Sequence, residues 1–212
     1  MKNIAVLVSG GGTNLQALID AQARGELGGG EIVQVISSRA DAYALTRAES
    51  AGIPCLVLPK KDYPTHEEYT HAITKVLKGI GAELVVLAGF MHILTEELTR
   101  SYPNAVINVH PALIPSFCGE GAYGLHVHEM ALDYGVKVTG ATVHFVNEVA
   151  DGGPIILQKT VEILPDDTPE VLQKRVMVQA EWKILPQAVA MFCQDRLQVQ
   201  GRKVIIEERE HA

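Results

Sequence analysis

Cysteine is scarce in these 212 residues. Cys55, Cys118 and Cys193 are the whole complement, an odd number at wide spacing. They exclude a disulfide framework, and no Cys-x-x-Cys pair offers a metal site. The expectation is a reduced chain in the cytoplasm, without a bound metal. Basic residues are in deficit, 18 against 25 acidic, for a formal net charge of -7. No basic cluster stands out, and Lys60-Lys61 reads as a solvated loop, which argues against a nucleic-acid partner. Long apolar runs are absent too. No stretch approaches the ~18 residues of a membrane span. The first apolar run, Ile4–Val8, flows straight into a glycine loop and reads as a strand, not a signal peptide. With 47% hydrophobic and 20% charged residues, disorder, collagen and coiled coil are excluded. What remains is one α/β domain over 1–212, long enough to bury its own core.

Apolar runs at 4–8, 32–36, 53–58, 84–88 and 105–109 read as strands, separated by helical patterns. The alternation predicts a mostly parallel, doubly wound, Rossmann-like sheet. Thr13 or Asn14 is placed to cap the first helix, Thr65 lies where another opens, and Thr95 caps a short one. After residue 110 the texture changes. A Pro/Gly-rich loop runs to Gly124, a helix covers about 126–134, and two β-rich runs, 136–147 and 154–164, flank Asp151-Gly152-Gly153. These predict antiparallel or mixed strands at the sheet edge. One helix is expected over 168–194, and a closing hairpin over 196–206 turning at Gly201.

Ser9-Gly10-Gly11-Gly12-Thr13-Asn14 joins the first strand to the first helix. Backbone N–H groups and the helix dipole converge on such a turn, and glycine lets an anion approach closely. A dinucleotide fingerprint would need glycine where Leu15 stands, and a nucleotide P-loop would need a lysine that is absent. A single phosphate monoester fits better. A tight turn without a ligand fits the same residues.

Asn108-Val109-His110-Pro111 carries the sharpest chemical signal. Residues i and i+2 of a strand share a face, so Asn108 and His110 project together at the carboxyl edge of the sheet. Pro111 favours an extended His110. An amide beside an imidazole suits an oxyanion, although a satisfied strand-end histidine reads equally well. Asp151 could face the same edge and hold His110 protonated, but before Gly-Gly it also reads as an ordinary turn residue. His126-Val127-His128 and His144 lack partners at metal spacing, and Cys118 has no neighbouring base.

Taken together, the motifs resemble the folate-dependent phosphoribosylglycinamide formyltransferase family over residues 3 to about 197. The resembling stretches are Val8–Gln16, Leu87–Met91, Asn108–Pro115 and Gly140–Val146 running into Asp151–Pro154. The resemblance implies formyl transfer from 10-formyltetrahydrofolate to the amine of glycinamide ribonucleotide. It places catalysis on Asn108, His110 and Asp151, the ribonucleotide phosphate on Gly12, Thr13 and Asn14, and a further ribonucleotide contact on Glu181. The folate would lie against His66, Met91, His92, Ile93, Leu94 and Asn108, and against Asn147, Glu148, Val149 and Ala150. His66 and His92 stand where many members carry arginine, and Ala150 where a larger apolar residue is common. Protonated His110 and Asn108 would bind the oxyanion of a tetrahedral intermediate, with no covalent intermediate and no metal. The chain has no room for the extra domains of other formyl-folate enzymes, and a monomer or homodimer is expected.

Overall fold

The computed structural model describes residues 1–208. Nine strands form one sheet in the order β3-β2-β1-β4-β5-β6-β7-β9-β8. They are β1 (Lys2–Val8), β2 (Gly30–Ser37), β3 (Cys55–Val57), β4 (Leu84–Leu87), β5 (Val106–His110), β6 (Val138–Phe145), β7 (Ile155–Glu162), β8 (Leu197–Gln200) and β9 (Lys203–Ile206). The first five pair in parallel, as the alternating pattern predicts. β6 runs antiparallel to β5, and β7 to β6. The hairpin β8–β9 forms the outer edge, so β6 and β7 lie inside the sheet rather than at its edge.

Seven α-helices cover the faces: α1 (Thr13–Ala23), α2 (Tyr43–Ser50), α3 (His66–Gly79), α4 (Glu96–Ser101), α5 (His126–Tyr134), α6 (Pro169–Val176) and α7 (Trp182–Cys193). β1 shows why a buried strand reads as a continuous apolar run. Ile4, Val6 and Val8 pack on one side with Leu15 and Leu18 of α1 and Leu185 of α7. Ala5 and Leu7 pack on the other with Tyr69, Ile73 and Leu77 of α3. Both faces are covered, so the alternation that marks a half-buried strand is missing.

Two elements depart from the sequence reading. β3 starts at Cys55, because Pro54 has no N–H and joins the sheet only through its carbonyl, which accepts from Val35 N. The long helix over 168–194 is interrupted by a π-helical turn, Met177–Glu181. Such turns insert one residue into a helix and occur often at functional sites. Here the turn delivers Glu181 to the interior.

The strand order reverses direction between β1 and β4. Ligands of open α/β sheets bind in the crevice beyond the carboxyl ends of the strands at such a point. The glycine loop follows β1 and Gly89–Met91 follows β4, so both border that crevice.

Candidate active site

The crevice holds a cavity of about 310 Å³ whose walls include Gly10–Asn14, Met91, Pro111 and Glu181. Gly12 caps α1 in the left-handed region, at φ 69, with no side-chain hydrogen bond. A Cβ there would come within 2.6 Å of the Ala44 Cβ, so the position excludes any larger residue. Neither expected side-chain cap forms. Thr13 Oγ1 turns to Met177 Sδ at 3.6 Å, and Asn14 Nδ2 donates to Glu181 Oε2 at 2.6 Å. The first-turn N–H groups of α1 are therefore left for another acceptor. Burial pushes the Glu181 carboxyl up to about 7, against the opposing Asn14 hydrogen bond. Arg47, unremarkable in sequence, braces the loop from outside. Its Nε donates to Gly11 O at 2.8 Å and its Nη1 to Gln16 Oε1 at 3.0 Å.

Beside this cavity Asn108, His110 and Asp151 converge. Asp151 Oδ2 lies 3.5 Å from His110 Nδ1, and Oδ1 lies 3.5 Å from Asn108 Nδ2. Oδ2 also accepts from Gly119 N at 2.9 Å. Burial alone would raise the Asp151 carboxyl. The His144 contact, the His110 ring and the Gly119 N–H overcome it and bring the carboxyl below its ordinary range. Asp151 sits at φ 53 in a tight turn in which Gly152 N donates to Val149 O at 2.9 Å. Gly153 then passes so close to β6 that a Cβ would lie 1.7 Å from Phe145 O. Only glycine fits, and the contact presses the Asp151 turn against the strand that carries His144.

Sequence reasoning missed His144. It stands directly opposite Asn108 in the β5–β6 ladder. Its Nδ1 donates to Phe145 O at 2.8 Å, and its Nε2 lies 3.2 Å from Asn108 Nδ2 and 3.5 Å from Asp151 Oδ1. The ring thus fixes the amide of Asn108. Only the strand register reveals this pairing.

The charge expected on His110 is not what the structure gives. Burial holds its imidazole below the ordinary histidine range, and the attraction of Asp151 and of the Phe117 carbonyl does not offset it. Nε2 donates to Phe117 O at 2.8 Å, so the neutral ring presents its Nδ1 lone pair to Asp151. A proton between Nδ1 and the carboxylate would remove that repulsion.

The residues expected to line a folate lie along the adjoining rim. Met91 is tied at its backbone, where its N donates to Ser9 Oγ at 3.0 Å, yet its side chain is half exposed. Ile93 and Val149 are exposed. His66 Nδ1 donates to Ile93 O at 3.1 Å. His92 packs edge-on against Tyr69 and Phe90, and burial, with Lys60 nearby, lowers its pKa. Leu94 packs into the core. Asn147 Oδ1 accepts from Val149 N at 3.1 Å, while Glu148 and Ala150 are exposed. Among the described residues no cluster of three or more His, Cys, Asp or Glu is arranged to hold a metal, and no helix is long and apolar enough to cross a membrane.

Comparison with known proteins gives the family of the chain. The chain is 42% identical over 199 residues to the phosphoribosylglycinamide formyltransferase of Haemophilus influenzae, covering 94% of this chain and 91% of the relative. Its fold matches the crystal structure of glycinamide ribonucleotide transformylase 1 from Symbiobacterium toebii with a TM-score of 0.93 and 42% identity, over 98% of this chain and 95% of that one. A formyltetrahydrofolate deformylase from Pseudomonas syringae matches at 29% identity and a TM-score of 0.87, over 98% of this chain and 66% of that one. The family model for formyl transferase matches residues 2–189, and the chain belongs to that family.

Proposed function

We propose that the protein is a phosphoribosylglycinamide formyltransferase. It moves the formyl group of 10-formyltetrahydrofolate to the amine of glycinamide ribonucleotide in purine synthesis, as a single cytoplasmic catalytic domain. The hub at Asp151 carries this assignment: one half-buried carboxylate bonded or close to Asn108, His110 and His144, beside a cavity framed by a glycine loop.

The amine attacks the formyl carbon and a tetrahedral oxyanion forms. Asn108 and the His110 Nε2–H are the available donors, each worth about 3–4 kcal/mol in comparable sites. Phe117 O must leave His110 Nε2 before that N–H reaches substrate. The attacking amine loses a proton, which lodges between Asp151 and His110 Nδ1, where a neutral ring faces a carboxylate. The same proton then goes to N10 of tetrahydrofolate as the C–N10 bond breaks. Proton and formyl group balance, and no side-chain nucleophile is needed. The ribonucleotide phosphate rests on Gly12, Thr13 and Asn14, and Glu181 takes the sugar. Met91, Ile93 and Val149 cover the pterin.

The test follows folate absorbance with and without glycinamide ribonucleotide. Formyl loss that requires the acceptor supports transfer. Formyl loss without it would make the protein a hydrolase like the Pseudomonas deformylase, and no loss in either case would refute both.

A further inference from the structure

His128 is buried to 1% exposure, and neither ring nitrogen has a hydrogen-bond partner among the described residues. Leaving buried polar atoms unpaired is costly, so each one needs an explanation. The ring lines the same cavity as the glycine loop and Glu181. A second unpaired buried atom, Asn14 Oδ1, belongs to that wall as well. Two residues of one cavity wall thus carry three orphaned polar atoms, the pattern of a site shaped for a polar ligand.

Among the described residues the cavity wall contains no lysine or arginine, and His128 is the one basic side chain there. Its charged neighbour across the cavity is Glu181, and His110 on β5 is close enough to oppose protonation. Burial pushes the His128 pKa down to about 4, so the free ring is neutral and carries one N–H donor. His128 also lies in the first turn of α5, where the helix dipole favours an anion.

We propose that His128 binds the acceptor phosphate, donating a ring N–H to a phosphate oxygen that the glycine loop holds from the other side. This rests on the assignment of that cavity to glycinamide ribonucleotide. It adds a side-chain donor to a subsite otherwise built from backbone N–H groups, and it accounts for a polar side chain that the α5 helix itself leaves unsatisfied.

His128→Phe keeps a flat ring of similar size and removes both nitrogens. The KM for glycinamide ribonucleotide should rise about 10- to 100-fold, the range expected for a lost hydrogen bond to a charged group. The KM for the formyl-folate and kcat should stay within about threefold. The melting temperature should not fall, because an apolar ring in place of unpaired nitrogens is neutral or stabilising. A structural role for His128 predicts the opposite. The second arm uses the dephosphorylated acceptor, glycinamide riboside. With it, wild type and variant should have equal kcat/KM, since the lost partner is absent from both.

An unchanged ribonucleotide KM would overturn the proposal, as would an equal loss with both acceptors. Should His128→Phe fail to fold, His128→Gln supplies the measurement. It keeps an N–H donor and should retain most of the affinity, and a loss as large as that expected for full removal would count against the phosphate contact. Wild-type turnover separates the two layers: if wild type does not formylate the ribonucleotide, the function itself is wrong. If it does and the variants behave like wild type, only the role of His128 falls.

Discussion

Glu181→Gln should make the protein more resistant to unfolding at pH 8 and leave it little changed at pH 5. The Glu181 carboxyl is buried on the cavity wall, and burial raises its pKa from 4.5 to about 7. In the unfolded chain it ionises near 4.5. Between those values the native state holds a proton that the unfolded state has released, so stability falls as pH rises through this window. At 1.36 kcal/mol per pH unit, the loss accumulated by pH 8 is about 3 kcal/mol. Glutamine removes the ionisation and with it the loss. Its amide oxygen still accepts from Asn14 Nδ2, the bond now 2.6 Å long. Urea denaturation at pH 5 and pH 8 measures the effect, the midpoints being converted with a common slope. The difference between variant and wild type should grow by about 2–3 kcal/mol from the lower pH to the higher. A difference that stays flat across that range would show that Glu181 ionises normally, through water access or a nearby cation, and would refute the reasoning. The ribonucleotide KM of the same variant should rise at both pH values.

Asp151→Asn keeps the shape of the hub but cannot hold the proton released by the amine. kcat should fall about 1,000-fold or more, by analogy with neutralising the carboxylate of a catalytic triad, while the ribonucleotide KM stays within about threefold. A variant with near wild-type turnover would remove Asp151 from the chemistry. His144→Phe takes away the ring nitrogen that holds Asn108 Nδ2 and Asp151 Oδ1, so kcat should drop about 10- to 100-fold with little change in either KM; a pure KM effect would mean that the ring touches substrate instead. Gly153→Ala forces a Cβ into Phe145 O and should lower both the melting temperature and kcat, checked by thermal melts and steady-state rates. An alanine variant that melts like wild type would show that the Asp151 turn can shift away from β6.

The sequence made some of this site readable and hid the rest for identifiable reasons. Asn108 and His110 were visible because the period of a strand puts i and i+2 on one face, which needs no tertiary information. The glycine loop was visible because only glycine tolerates the conformation and the close approach found at Gly12. Asp151 is ambiguous as well, since its turn statistics are ordinary; Gly153 packing on Phe145 brings that aspartate to the hub. His144 was hidden because its partner, Asn108, faces it across an antiparallel register that no local pattern encodes. The charge of His110 is hidden from the sequence for a related reason. Pairing it with Asp151 suggests a raised pKa, but the degree of burial decides the sign, and burial is a property of the packed chain. The break in the helix over 168–194 escaped notice because a π-helical turn keeps helical composition while shifting which residues face inward.

An acidic chain that serves an anionic acceptor must solve a charge problem, and the arrangement around the cavity shows how. Among the described residues no lysine or arginine lines the cavity, so attraction comes from the N-terminus of α1, from the uncapped N–H groups at Gly12–Asn14, and from Arg47 behind the loop. Glu181 would work against all three if it were ionised. Burial leaves its carboxyl about half protonated at neutral pH, so the single acidic group on that wall opposes the phosphate far less than a surface carboxylate would. Protonated, it still donates and accepts hydrogen bonds, as sugar hydroxyls require. The same enclosure that costs stability above pH 5 therefore lowers the electrostatic barrier to the ligand. This explains why the carboxyl is enclosed by a π-helical turn rather than left in water on an ordinary helix face.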